Sequence, residues 1–271
     1  MVMSKILFLA DVVGNPGRRS VKTELPKLIT EHSPDIVIIN AENAAGGVGT
    51  DPSTASELLA GGGDVLTGGN HTWNRKEFWP YLEERKNVVL RPANFPDGAP
   101  GSGSTIFETR TGKRIGVINL IARVFMTDSV ESPFHCADQL LRDWENEKLD
   151  AIFVDFHGEA TSEKRAMAEY LDGRISALVG THTHVQTADE QLLPRGTAFL
   201  SDAGMCGPVD SVIGMRVDAV VQRFVSGLPI RFDVAKGQGM VNGCVIVVDD
   251  ATRRATSIVR INRKDEPEAQ P

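Results

Sequence analysis

The sequence predicts an α/β protein built as a four-layer sandwich, two mixed β-sheets packed face to face with helices on both outer faces. Three observations carry this expectation. Short, continuously apolar runs such as Ile6-Leu7-Phe8-Leu9-Ala10, Ile36-Val37-Ile38-Ile39 and Ile152-Phe153-Val154 suit strands covered on both sides. Helical stretches alternate with these runs, as they do where helices connect parallel strands. Two hairpin signatures, around Thr111-Gly112 and Asp249-Asp250, add antiparallel strands, so the sheets are mixed.

Taken in order, the first strand stops at Asp11, and a helix is expected from Arg18 to His32 with a break or kink at Pro26. The strand Ile36 to Ile39 is followed by Asn40-Ala41-Glu42-Asn43 and a glycine-rich loop. Asp51-Pro52 supplies an N-cap acceptor with proline at the first helical position, and glycines 61 to 63 end that helix. Val65-Leu66-Thr67 is a short strand whose exit carries Gly68-Gly69-Asn70-His71. A helix over Lys76 to Glu84 and a strand Val88 to Leu90 come next, and residues 91–103 form a long loop, the expected substrate-facing wall. After the first hairpin a helix is predicted over Ala137 to Asn146, then a strand delivering His157, then a helix capped by Thr161 or Ser162 and ending near Leu171. Ala177-Leu178-Val179 leads into Gly180-Thr181-His182-Thr183-His184. The remainder reads as strand and loop through 201–214, an amphipathic helix from Arg216 to Ser226 and the second hairpin. No linker or internal repeat divides the chain, so one domain is expected over 1–262. Residues 263–271, charged and proline-bearing, read as a disordered tail.

Composition narrows the function. A net charge of −7 over 271 residues argues against stable nucleic-acid or membrane-surface binding, both of which favour a basic excess. Cys136, Cys206 and Cys244 are odd in number and contain no C-x-x-C pair, so neither a disulfide framework nor a thiolate metal site is indicated, and a reducing cytoplasm is expected. The N-terminus lacks a signal-peptide pattern, and no run approaches the roughly 18 apolar residues of a membrane span.

The histidines point to the chemistry. His182 and His184 are spaced i, i+2 beyond a buried strand, so an extended backbone sends both imidazoles to one side. Asp11, Glu42, Asn43, Asn70 and His157 also follow apolar runs, and exits of parallel strands share one rim. Together they offer oxygen and nitrogen ligands without any thiolate, too many for one tetrahedral ion, so two ions sharing a carboxylate are expected. His32 and His135 fall in helix-end and loop contexts and are left out. No G-x-G-x-x-G, Walker or nucleophile-elbow pattern occurs. Cys206 has no basic partner nearby in sequence and reads as a small loop residue, and Asp202 and Asp210 read as residues behind the ligands or on a substrate loop, or, as the favoured reading, ordinary loop acids.

The ordered motifs Asp11-Val12-Val13-Gly14, Asn40-Ala41-Glu42-Asn43, Gly69-Asn70-His71, His157 and Gly180-Thr181-His182-Thr183-His184 resemble those of the calcineurin-like metallophosphoesterases. Within that superfamily they resemble the YmdB-like bacterial phosphodiesterase branch, with Val13 where most members place a histidine and Glu42 in place of a bridging aspartate. The resemblance implies a metallophosphoesterase-like fold holding two divalent or mixed-valence ions, iron or manganese. Glu42 would bridge them, Asp11, Asn43 and His184 would complete one, and Asn70, His157 and His182 the other. It further implies attack of a metal-bridging hydroxide on a small phosphodiester, a 2′,3′-cyclic or 3′,5′-cyclic nucleotide, with His71 as general acid. Self-association is left open by the sequence. Of the competing classes, a metal-dependent amidohydrolase is disfavoured because its His-x-His pair opens the barrel, whereas here the pair follows several αβ units. A non-catalytic regulatory protein that keeps the fold as a metal-stabilised scaffold stays as the alternative.

Overall fold

Side chains alternate along the apolar runs and so divide between the sheet-to-sheet seam and the two helix-covered outer faces. The structure, a computed structural model, describes residues 2–265. In chain order its elements are β1 Met3–Leu9, β2 Asp11–Val12, α1 Gly14–His32, β3 Ile36–Asn40, α2 Pro52–Ala60, β4 Val65–Thr67 and α3 Phe78–Glu84. There follow β5 Ser104–Glu108, β6 Arg114–Ile121, α4 Pro133–Asp143, β7 Ala151–His157, α5 Thr161–Leu171, β8 Ala177–Thr181, β9 Gln191–Leu192 and β10 Ala198–Leu200. The chain closes with β11 Met205–Pro208, α6 Val217–Ser226, β12 Gly239–Asp249 and β13 Arg254–Lys264.

The first sheet has the order β2-β11-β12-β1-β3-β4, with β13 also paired to β12. The second runs β5-β6-β7-β8-β10-β9. Strands β1, β3 and β4 are mutually parallel, as are β6, β7, β8 and β10. The sheets pack on each other through Ile6, Phe8, Ile38, Val117, Phe153, Val179 and Ile246, with the rings of Phe8 and Phe153 meeting at 5.0 Å. The intervening residues face outward: Leu7, Leu9, Val37 and Ile39 meet Leu25, Leu28 and Leu58 of α1 and α2, while Ile152, Val154 and Leu178 meet Met167 and Leu171 of α5. The four-layer α/β sandwich is therefore present, with continuously apolar strands because each has two buried faces.

Several local expectations are corrected. Helix α1 begins at Gly14 and runs unbroken through Pro26. Proline removes one backbone donor, and burial of Val21, Leu25 and Leu28 against the sheet outweighs that loss. Val88 to Leu90 is not a strand; Val89 and Leu90 make single bridges to Leu66 and Ser102. Helix α4 starts at Pro133, where the Ser132 side chain accepts from the His135 amide, and α5 has no side-chain cap from Thr161 or Ser162. Arg263 and Lys264, assigned by sequence to the tail, extend β13, and residues 266–271 of that tail lie outside the described residues. The α2 entry is as expected, with Asp51 and Thr54 forming a reciprocal capping box. Helix α6 buries Val220 and leaves Phe224 and Val225 exposed. Among the described residues no helix is long and apolar enough to cross a membrane.

Because the sheet-to-sheet contact fixes how the two sets of strand ends face each other, its loss is costly. Phe153→Ala should lower unfolding free energy by about 3–5 kcal/mol, read as a shift of the urea midpoint at unchanged slope.

Candidate metal centre

Parallel strands leave their sheets in a common direction, and here every candidate residue sits at such an exit. Asp11 lies in β2 directly after β1, Glu42 and Asn43 follow β3, Asn70 and His71 follow β4, His157 ends β7, and His182 and His184 follow β8. The first sheet thus contributes the carboxylates, the amides and the His71 imidazole, the second the other three imidazoles, and they meet at the seam.

The centre of the cluster is His157, fully buried. Its Nε2 lies 2.9 Å from Asn70 Oδ1, 3.0 Å from Glu42 Oε2 and 3.1 Å from His182 Nδ1. Glu42, His157 and His182 can offer ligand atoms all within 4.8 Å of one another. Asp11, also fully buried, accepts the His182 amide at 3.0 Å through Oδ2, while its Oδ1 and Glu42 Oε2 have no hydrogen-bond partner. The Glu42 atom is near His157 but off the hydrogen-bonding line. Buried carboxylate oxygens left this way are costly unless a cation joins them. The backbone closes around the place: a Cβ on Gly69 would fall 1.7 Å from Glu42 Oε2 and 2.4 Å from His157 Nε2, so only glycine fits.

Toward solvent, His184 donates from Nδ1 to the Ile213 carbonyl at 2.9 Å, which leaves its Nε2 lone pair facing Asn43 Nδ2 at 3.2 Å. His71 Nδ1 lies 2.8 Å from Asn43 Oδ1 and 3.1 Å from Glu42 Oε1, so that nitrogen is committed inward while the ring stays a third exposed. All seven expected ligands and His71 therefore share one rim. Asn70, Glu42, His157 and His182 form the tight group, and Asn43 and His184 sit beside it with Asn43 Oδ1 on His71.

Electrostatics agree with an anionic hole. Burial alone would raise the Glu42 carboxyl, but the neighbouring His157 and His71 charges outweigh it and hold Glu42 well below the usual carboxylate range. Burial likewise would lower His157, yet Glu42, Asp11 and Asp155 lift it to about 9. His182 is driven down to about 3 by burial and by the His157 charge. Asp11 is raised by burial, partly offset by His157 and His184. In the metal-free protein the second ring proton of His157, on Nε2 beside Glu42, thus lies where a cation could take its place. The donor set, oxygen and imidazole with no sulfur, suits divalent metal ions.

Sequence reading passed over several supporting residues. Asp155 is fully buried and accepts from Asn40 Nδ2 at 2.9 Å, Thr67 Oγ1 at 2.5 Å and Thr181 Oγ1 at 2.7 Å. An aspartate inside an otherwise apolar strand was the available signal, since a buried carboxylate demands partners. Lys164, on the buried face of α5, meets Asp202 at 2.8 Å, and Asp202 in turn accepts the Thr183 amide at 3.0 Å. That pair holds a turn in which His182 and His184 have φ values of 103° and 63°, a conformation costing non-glycine residues about 1–3 kcal/mol each. Asp202 is therefore more than a loop acid. The 91–103 segment bonds through its backbone and Asn94 to residues 119, 121 and 131, whereas the 201–214 segment reaches His184 through Ile213. Cys206, expected in a loop, lies in β11 paired with Val12, and burial pushes its thiol up to about 12, which keeps it inert. His32 lies beside Glu31, and His135 falls within α4, both away from these strand exits.

Residues 7–261 match the family described as YmdB-like protein. The chain is 48% identical over 262 residues to the 2′,3′-cyclic-nucleotide 2′-phosphodiesterase of Bacillus subtilis (strain 168), covering 97% of this chain and 98% of that one. A crystal structure of a novel phosphatase from Mycoplasma pneumoniae superposes with a TM-score of 0.90 at 33% identity, covering 97% of this chain and 94% of that one. One of a hypothetical protein from Thermus thermophilus superposes with a TM-score of 0.89 at 39% identity, covering 97% and 100%.

A cation entering this hole must displace the His157 proton. Apparent manganese affinity of the metal-free protein should rise with pH by up to about tenfold per unit below about pH 9 and level off above it. Calorimetric titrations in buffers of differing ionisation enthalpy should show proton release on binding. The same proton stabilises the metal-free fold fully below the ordinary histidine range, and that contribution is lost as pH rises through about 9.

Proposed function

The chain belongs to the YmdB-like protein family, and from that premise we propose that it hydrolyses 2′,3′-cyclic nucleotides at the 2′ ester. It is an enzyme of the phosphodiesterase and phosphatase kind, with the metallophosphoesterase fold. The observation that carries the proposal is the convergence on His157 Nε2 of Asn70 Oδ1, Glu42 Oε2 and His182 Nδ1, all lone-pair atoms once neutral His157 carries its proton on Nδ1 toward Thr181 and His182 carries its own on Nε2 toward Glu159.

Glu42, reaching His157 with one oxygen and His71 with the other, is suited to bridge two ions. We assign Asp11, Asn43 and His184 to one ion and Asn70, His157 and His182 to the second, with iron or manganese as the occupants. Ions bound there would activate a water for attack and neutralise charge on the phosphoryl oxygens. The protein's own part is positioning. Buried Asp11 and Glu42 hold the anionic base of the site, Gly69 lets the backbone close beneath it, and the Lys164–Asp202 pair keeps the strained histidine turn in place. His71, anchored through Nδ1, presents its remaining nitrogen as the proton source for the departing 2′ oxygen as the bond to phosphorus breaks, leaving a nucleoside 3′-phosphate. The setting we propose is a reducing cytoplasm, in keeping with three free cysteines, two of them buried.

The test is chromatography of products from 2′,3′-cyclic AMP incubated with manganese-loaded protein. Release of 3′-AMP is the expected result. Cleavage confined to 3′,5′-cyclic AMP would overturn the substrate assignment, and failure to release p-nitrophenol from bis-p-nitrophenyl phosphate would favour the scaffold alternative. His71→Ala should keep two equivalents of metal by elemental analysis and lose about 10²–10⁴ in turnover; metal loss would instead make His71 a ligand. Glu42→Ala should empty both sites together, and full retention of one ion would remove it from the bridging position.

A further inference from the structure

The buried carboxylate of Asp155 lies two residues before His157 on β7 and touches donors from both sheets. Its Oδ1 is 2.7 Å from Thr181 Oγ1, and that same Thr181 oxygen is 2.9 Å from His157 Nδ1. Its Oδ2 accepts from Thr67 and from Asn40 Nδ2, while Asn40 Oδ1 accepts the Glu42 amide at 3.1 Å. We propose that Asp155 is a positioning residue that selects, through Thr181, which nitrogen of His157 faces the metal centre, and that through Asn40 it ties Glu42 to the same frame. This deepens the metal-centre reading and rests on His157 being a ligand.

The direction of each proton follows from the partners. A carboxylate has no hydrogen to give, so the single Thr181 hydroxyl proton is spent on Asp155. The Thr181 oxygen is then an acceptor, and the neighbour that fills it is the His157 Nδ1–H. With the proton fixed on Nδ1, the Nε2 lone pair is directed at Glu42, Asn70 and His182. Reversing the relay would put the proton on Nε2, where no ion could coordinate. Thr181 and Asn40 sit at the ends of β8 and β3, in different sheets, so one side chain aligns an imidazole from the second sheet with a carboxylate from the first.

Thr181→Val preserves the shape of the buried side chain and removes the relay, whereas Thr181→Ser retains it. Calorimetric titration with manganese alone should show Thr181→Val weakened about 10–100-fold at one of two sites and Thr181→Ser near the parent. In ¹⁵N-labelled protein loaded with zinc, a slowly exchanging His157 Nδ1–H resonance should be present in the parent and in Thr181→Ser and absent in Thr181→Val. Asp155→Asn, whose amide can donate toward the Thr181 oxygen, should weaken the same site. If Thr181→Val binds manganese as the parent does and keeps the resonance, the relay is wrong. If His157→Ala retains two equivalents of metal, it is the ligand reading itself that fails, and the two failures are distinguishable.

Discussion

The structure depends on a conflict that only a positive charge resolves. Atoms of Glu42, Asn70 and His182 are held within about hydrogen-bonding distance of His157 Nε2, yet with the neutral His157 proton on Nδ1 toward Thr181 and that of His182 on Nε2 toward Glu159, all four are lone pairs with no hydrogen to exchange. Left alone they would repel one another. The rest of the fold answers that conflict. Two apolar faces lock the sheets together, glycine leaves room for the approach, and the proton that His157 keeps in the absence of an ion is the minimal substitute.

Most of this was legible in the primary structure because strand-exit chemistry is local. Apolar runs announced where strands stop, and the polar residue types at those stops announced a shared rim, so Asp11, Glu42, Asn70, His157 and the His182–His184 pair could be named in advance as residues that meet there. What stayed hidden depends on tertiary neighbours. Lys164 lies on a helix whose sequence looks amphipathic, and nothing local says that its charge is buried against Asp202. Val88 to Leu90 has strand composition but only single bridges, because β-propensity expresses itself only where a ladder is available. Pro26 argued for a break that burial of the surrounding turns overrides.

The polar groups beneath the site are arranged in depth. Asp155 binds residues of both sheets, Asp202 binds the backbone of the turn that carries two imidazoles, and neither is itself among the converging donors. Such buried networks are expensive unless complete, and these are well supplied with partners, which is how a rigid site can be built from loops. Strain at His182 and His184 is stored against this support rather than relaxed.

One topological detail bears on how the molecule comes into being. Strand β1, which leads directly to Asp11, pairs on one side with β3 but on the other with β12, in the register Met3 to Asp249. During synthesis β1 therefore emerges from the ribosome with an unpartnered apolar edge, and that edge stays uncovered until β12 has followed it out. Contacts so distant along the chain slow folding and prolong exposure of sticky intermediates. The sheet that carries Asp11 is consequently completed on that side only once β12 has joined it.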